Sequence, residues 1–167
     1  MKGRGLKGFF ARSLDGLVHA AAVLGIALLL VQAAWINYGV VARYVFASPD
    51  RSVTEATSLM LVALAFLGLP LALRADAIPK VTFLIEALPP RGRWLVQLAN
   101  AALIVLVGLF FSYMSALATV RTFSSGVKSA VVGWPEYLVW GTVAFSILLF
   151  TVAAVRQLVA LAAARPA

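Results

Sequence analysis

Four apolar runs dominate this chain: 16–42, 56–73, 95–120 and 137–155, with no Asp, Glu, Lys or Arg inside any of them. About 20 apolar residues in helical form cross the roughly 30 Å of bilayer hydrocarbon. A backbone in lipid must satisfy its own amides and carbonyls, which a helix does within one segment. The pattern therefore predicts an all-α membrane protein with four transmembrane helices, at approximately 16–42, 53–74, 94–121 and 135–157, forming a single domain over residues 1–167. The composition agrees: 63% of residues are hydrophobic and 12% charged, against about 45–50% and about 25% in soluble domains. Pro70 falls near the end of the second run, where a kink is expected. A basic start, an apolar run and Val31-Gln32-Ala33 loosely fit a signal peptide. The run continues past Ala33, however, and exceeds the 7–15 residues of such a segment.

The formal net charge of +8 would suggest nucleic acid in a soluble protein. Here it follows from topology, with Lys and Arg gathering in cytoplasmic loops beside anionic lipid. With the N-terminus inside, inner segments hold Lys2, Arg4, Lys7, Arg12, Arg74, Lys80, Arg91, Arg93, Arg156 and Arg165. Outer segments hold Arg43, Arg51, Arg121 and Lys128. Ten against four predicts both termini in the cytoplasm. Trp35, Tyr38, Trp134, Tyr137 and Trp140 then lie near the outer interface and Trp94 near the inner one. Between spans two and three, Ile78, Val81, Leu84, Ile85 and Leu88 recur on one helical face before Pro89-Pro90. This predicts a short interfacial amphipathic helix over about 77–88.

Chemistry has few candidate residues. There is no cysteine and one histidine, His19, so thiolate metal sites, thiol redox catalysis and bis-His haem within the chain are excluded. No metal site, cofactor or catalytic set is expected. The six acids, Asp15, Asp50, Glu55, Asp76, Glu86 and Glu136, all flank the apolar runs. Ion-coupled carriers usually hold an ionisable group at mid-membrane; the spans here hold only neutral polar groups. Among these, Gly108, Ser112, Ser115 and Thr119 share a face of span three, a small-residue spacing that predicts close helix packing. A polar path along that face is the competing reading.

The hairpin Asn37–Glu55 is the most informative stretch. Ser52 and Glu55 have the S-x-x-E spacing of a capping box at the start of span two. A coupling role for Glu55 is the alternative. Arg43 lies about 26 residues past the start of the first run, or about 39 Å along a helix. That is beyond the hydrocarbon, so it escapes the ~2.5–3.5 kcal/mol cost of a mid-membrane charge. It either faces the carbonyls at its own helix end, or pairs across the turn with Glu55, or meets another chain. The loop 122–134 is either a connector or a docking surface.

Several of these features together resemble the small, DctQ-type membrane subunit of tripartite ATP-independent periplasmic (TRAP) transporters. They are Asn37 followed by Arg43-Tyr44-Val45-Phe46 at the end of span one, Glu55 opening span two, and Arg74 with Ile78 and Val81. Leu88-Pro89 and Trp134-Pro135 before span four complete the match, which covers roughly 17–155. Thr54 stands where such proteins often have a second acid, and Ala77 where they often have His. The resemblance implies a sodium-coupled uptake system for organic acids in a bacterial inner membrane. A large permease subunit would carry the substrate and sodium sites, and a periplasmic solute-binding protein would deliver the substrate. This chain would be the scaffold beside the permease, embedded in membrane lipids, with Asn37, Arg43, Tyr44, Phe46, Ser52, Glu55, Arg74, Trp134 and Pro135 as structural or interaction residues. Competing expectations are a self-sufficient oligomeric transporter or channel, or an accessory subunit of another membrane complex. A membrane enzyme would need a convergent catalytic set that the sequence lacks.

Overall fold

A computed structural model describes residues 3–48, 50–77 and 88–164, with side chains from Ser13 onward. Four helices account for nearly all of it: α1 Gly3–Tyr44, α2 Arg51–Arg74, α3 Pro90–Ser125 and α4 Glu136–Ala163. Each apolar run lies wholly within one helix, and each helix is long and apolar enough to cross a membrane. Among the described residues there is no strand, only an isolated antiparallel bridge between Lys128 and Pro135. The segment 78–87, which carries most of the expected interfacial helix, lies outside the described residues, as does Pro49.

Helix ends follow local chemistry. Asp50 is the N-cap of α2, its Oδ1 accepting from the Ser52 amide at 2.8 Å. At the other end of α2 the Ala77 amide donates to the Ala72 carbonyl (3.0 Å) and the Asp76 amide to the Leu73 carbonyl (3.3 Å). Asp76 itself adopts φ 54°, so the helix closes in a Schellman motif with Asp in the glycine position. α3 ends at Gly126, whose φ of 62° a side chain would disfavour. Pro70 sits inside α2, fully buried, where its ring removes the donor that the Phe66 carbonyl would otherwise meet.

The helices form a row rather than a closed bundle. α1 packs on α2, α2 on α4 and α4 on α3; α1 brushes α4, and the backbones of α1 and α2 stay apart from that of α3 among the described residues. The central helix is the best covered: 39% of the α4 apolar window is buried against 17% of that of α3. One core cluster joins Leu14, Val18 and Ala21 of α1 to Leu67 of α2 and Leu149 of α4. A second joins Leu73 of α2, Ala153 and Ala154 of α4, and Ile104 and Val105 of α3. Where backbones approach most closely, small residues make room. A Cβ on Gly108 would lie 2.6 Å from Thr151 Oγ1, and one on Gly39 would lie 2.5 Å from Val53 Cγ1.

Candidate interaction site

The small-residue face of α3 is spent on packing. Thr151 Oγ1 donates its single proton to the Ile147 carbonyl (2.8 Å), so Ser112 Oγ is the donor in the 3.1 Å contact between the two hydroxyls. Ser115 donates to the Phe111 carbonyl at 2.7 Å, Thr119 to the Ser115 carbonyl at 2.8 Å and Thr122 to the Ala118 carbonyl at 2.9 Å. The hydroxyls are thus satisfied by their own helix or by α4, as the packing reading expects and a polar path does not.

Two polar clusters remain, one at each end of the row. At the first, Asp15 Oδ1 of α1 accepts from Arg74 of α2 at 2.9 Å and from Arg156 of α4 at 3.1 Å. Trp94, in the first turns of α3, donates its indole N–H to the Leu161 carbonyl near the end of α4 at 2.9 Å. A shallow surface cleft of about 270 Å³ lies beside it, lined by Leu88, Pro90, Arg93, Trp94, Gln97 and Ala164.

The second cluster is built around Glu55. The expected capping box does not form, because Asp50 already caps α2 and starts the helix one residue before Ser52. That places Glu55 too far into the first turn to answer the cap, and its carboxylate turns outward across the row. Oε1 accepts from the Ala130 amide at 2.9 Å; Oε2 accepts from Val131 at 2.8 Å and Val132 at 2.7 Å. Three consecutive amides converging on one carboxylate make a backbone nest of the kind that binds anions. The loop can present them because it is a small closed structure. The Ser129 amide donates to the Trp134 carbonyl (2.8 Å), the Gly133 amide to the Ser129 carbonyl (3.1 Å) and the Glu136 amide to the Val127 carbonyl (3.2 Å). Gly133, at φ 72°, supplies the left-handed turn.

The remaining residues of interest divide. Trp134 and Pro135 belong to this loop, Trp134 through its carbonyl and Pro135 as the N-cap of α4. Arg43 and Glu55 do not pair: Glu55 is occupied by the loop, and Arg43 is exposed with its guanidinium 5.8 Å from the centre of the Tyr44 ring. Tyr44 and Phe46 are exposed, at 77% and 72%. Asn37 is exposed and donates to the Ala33 carbonyl of its own helix at 2.8 Å. Arg74 is far from all of these, at the Asp15 end. Buried Gln32, not among the residues singled out for interaction, reaches the Thr57 carbonyl of α2 at 3.4 Å and ties α1 to α2.

The family model for the DctQ component of tripartite ATP-independent periplasmic transporters matches residues 32–164. The chain belongs to the DctQ family. The match takes in the Asn37–Glu55 hairpin, the Glu55-held loop and all of α2, α3 and α4, so the resemblance drawn from those residues holds. Comparison with curated proteins gives no match. The DctQ chain is therefore the small membrane component of a TRAP transporter, a multi-pass membrane protein that works with a large permease and a binding protein. Its family is a transporter component and not an enzyme family.

Proposed function

We propose that this DctQ chain is a scaffold subunit: it broadens the static part of a sodium-coupled TRAP permease for organic acids in a bacterial inner membrane, and helps receive the periplasmic binding protein. The observation that carries the reading is the open row of helices. α1 and α3 stand at its two edges, with large apolar side chains such as Leu30, Leu106, Phe110 and Tyr113 exposed, and the hydroxyls of α3 are already spoken for within the chain. A row with two uncovered apolar edges suits packing against a larger membrane subunit, where helix association rests on close van der Waals contact. Purification in mild detergent tests this directly: the tagged chain is expected to carry the large permease with it, and recovery as a free monomer would remove the scaffold reading.

Both termini face the cytoplasm in this proposal. Arg74 and Arg156 share the Asp15 end, while Arg43, Arg51, Arg121 and Lys128 flank the other helix ends, which supports the charge asymmetry counted along the sequence. The cysteine-free sequence makes the test clean. A thiol introduced as Ser125→Cys is expected to react with a membrane-impermeant maleimide in intact spheroplasts, and one introduced as Ala164→Cys only after lysis. The opposite pattern would invert the topology. In this orientation the Glu55-held loop faces the periplasm.

A further inference from the structure

At the Glu55 end, carboxylates and cations are used very differently. Asp50 turns its carboxylate onto the Ser52 amide, and Glu55 gives both oxygens to the loop amides. Arg43, Arg51, Arg121 and Lys128 are all exposed, and none pairs with a carboxylate among the described residues. Around them stand exposed apolar and aromatic side chains: Tyr44, Phe46, Val131 at 51% and Trp134 at 40%. Of the three acids in the same hairpins, two are engaged by amides and Glu136 alone stands beside the four cations, so the surface facing outward is cationic and aromatic. One wall of that surface is the 126–135 loop. Its tip amides at 130, 131 and 132 are held by a residue more than 70 positions away, on a different helix. Without that carboxylate, three adjacent N–H groups would lose their acceptors together, and these are the hydrogen bonds that join the tip to α2 among the described residues.

We infer that Glu55 is a positioning residue: its carboxylate latches the 126–135 loop onto α2 and so shapes a cationic, aromatic ledge that receives an acidic surface of the binding protein. The inference deepens the docking role proposed above and rests on it. Charge complementarity selects the partner, since exposed unpaired cations speed the encounter with an acidic surface and reject a basic one. Aromatic and Arg side chains are also the types enriched where protein interfaces form.

The experiment uses the assembled transporter, this subunit with its large permease in nanodiscs, and the purified binding protein as probe. Hydrogen exchange is read at amides 130–132, and association of the binding protein is followed at low and high salt. Wild type is expected to protect the three amides and to bind the probe with a rate that falls as salt rises. Glu55→Ala is expected to lose the protection and slow association by about tenfold. Glu55→Gln, of the same shape, is expected to retain part of both. Arg51→Glu with Lys128→Glu is expected to slow association similarly while leaving the amides protected, which separates the ledge's charge from the loop's shape. Co-purification with the permease identifies any variant that has failed to fold.

Unchanged protection in Glu55→Ala would overturn the latch. Lost protection with unchanged association would overturn the link between loop and docking. Association indifferent to salt and to the double charge reversal would overturn the acidic partner and leave the cations to lipid headgroups. A wild-type complex that does not bind the probe at all would instead remove the docking reading, whatever the loop amides show.

Discussion

Gly108 and Thr151 show how little room the helix row leaves. A methyl group at 108 would lie 2.6 Å from the Thr151 hydroxyl but 3.4 Å from its Cβ, so the oxygen is the obstacle. Overpacking of this kind costs about 1–3 kcal/mol. Gly108→Ala is expected to lower the melting temperature of the detergent-solubilised protein, and Thr151→Ala in the same chain to recover part of the loss. Gly68, with nothing within 4 Å of an added Cβ, is the control: Gly68→Ala is expected to leave the melting temperature unchanged or raise it. A loss at Gly68 as large as that at Gly108 would contradict this packing. The close approach was legible in the sequence, because Gly108, Ser112, Ser115 and Thr119 recur on one helical face. The role of Glu55 was not. A carboxylate three residues after a Ser reads as a capping box, and the amides it holds belong to Ala130, Val131 and Val132, whose side chains give no sign of what their backbones do. Asp50 offered the missing signal, since Asp immediately before Arg51 is as good an N-cap as Ser52.

Between elements, two kinds of tie differ in weight. Asp15 joins α1 to Arg74 of α2 and Arg156 of α4, but all three side chains are one-third to one-half exposed, at 42%, 34% and 48%. Exposed pairs contribute about 0.2–1 kcal/mol and are screened by salt. A double-mutant cycle on Asp15 and Arg74 is expected to give coupling in that range, falling as salt is added. The Ser112–Thr151 contact lies among apolar side chains, out of reach of salt. Its coupling is expected near 0.6 kcal/mol, the usual size for such bonds between membrane helices, and independent of ionic strength. A salt-independent Asp15 cycle, or a salt-sensitive Ser112 cycle, would reverse this assignment of which ties are wet and which are dry. Helix positions followed from the apolar runs, but helix neighbours did not. Runs that are apolar all round carry no periodic face to say which side meets which partner, and the order α1, α2, α4, α3 appears only in three dimensions.

At the scale of the whole molecule, the structure is an edge-exposed row in which the Ser and Thr hydroxyls of α3 and the Asp15 and Glu55 carboxylates are engaged within the chain. The Asp15 cluster and the Glu55 loop tie the two ends, the small-residue seam ties the middle, and the long apolar faces of α1 and α3 stay open. Such a row has surface to lend to a neighbour, and its acids lie at the membrane boundaries rather than at mid-span. That division of labour fits the scaffold role proposed for this DctQ component. The most direct test is uptake of labelled organic acid by proteoliposomes holding this chain alone, and holding it with the large permease and binding protein under a sodium gradient. The account predicts accumulation only in the complete system. Saturable accumulation by this chain alone would contradict it.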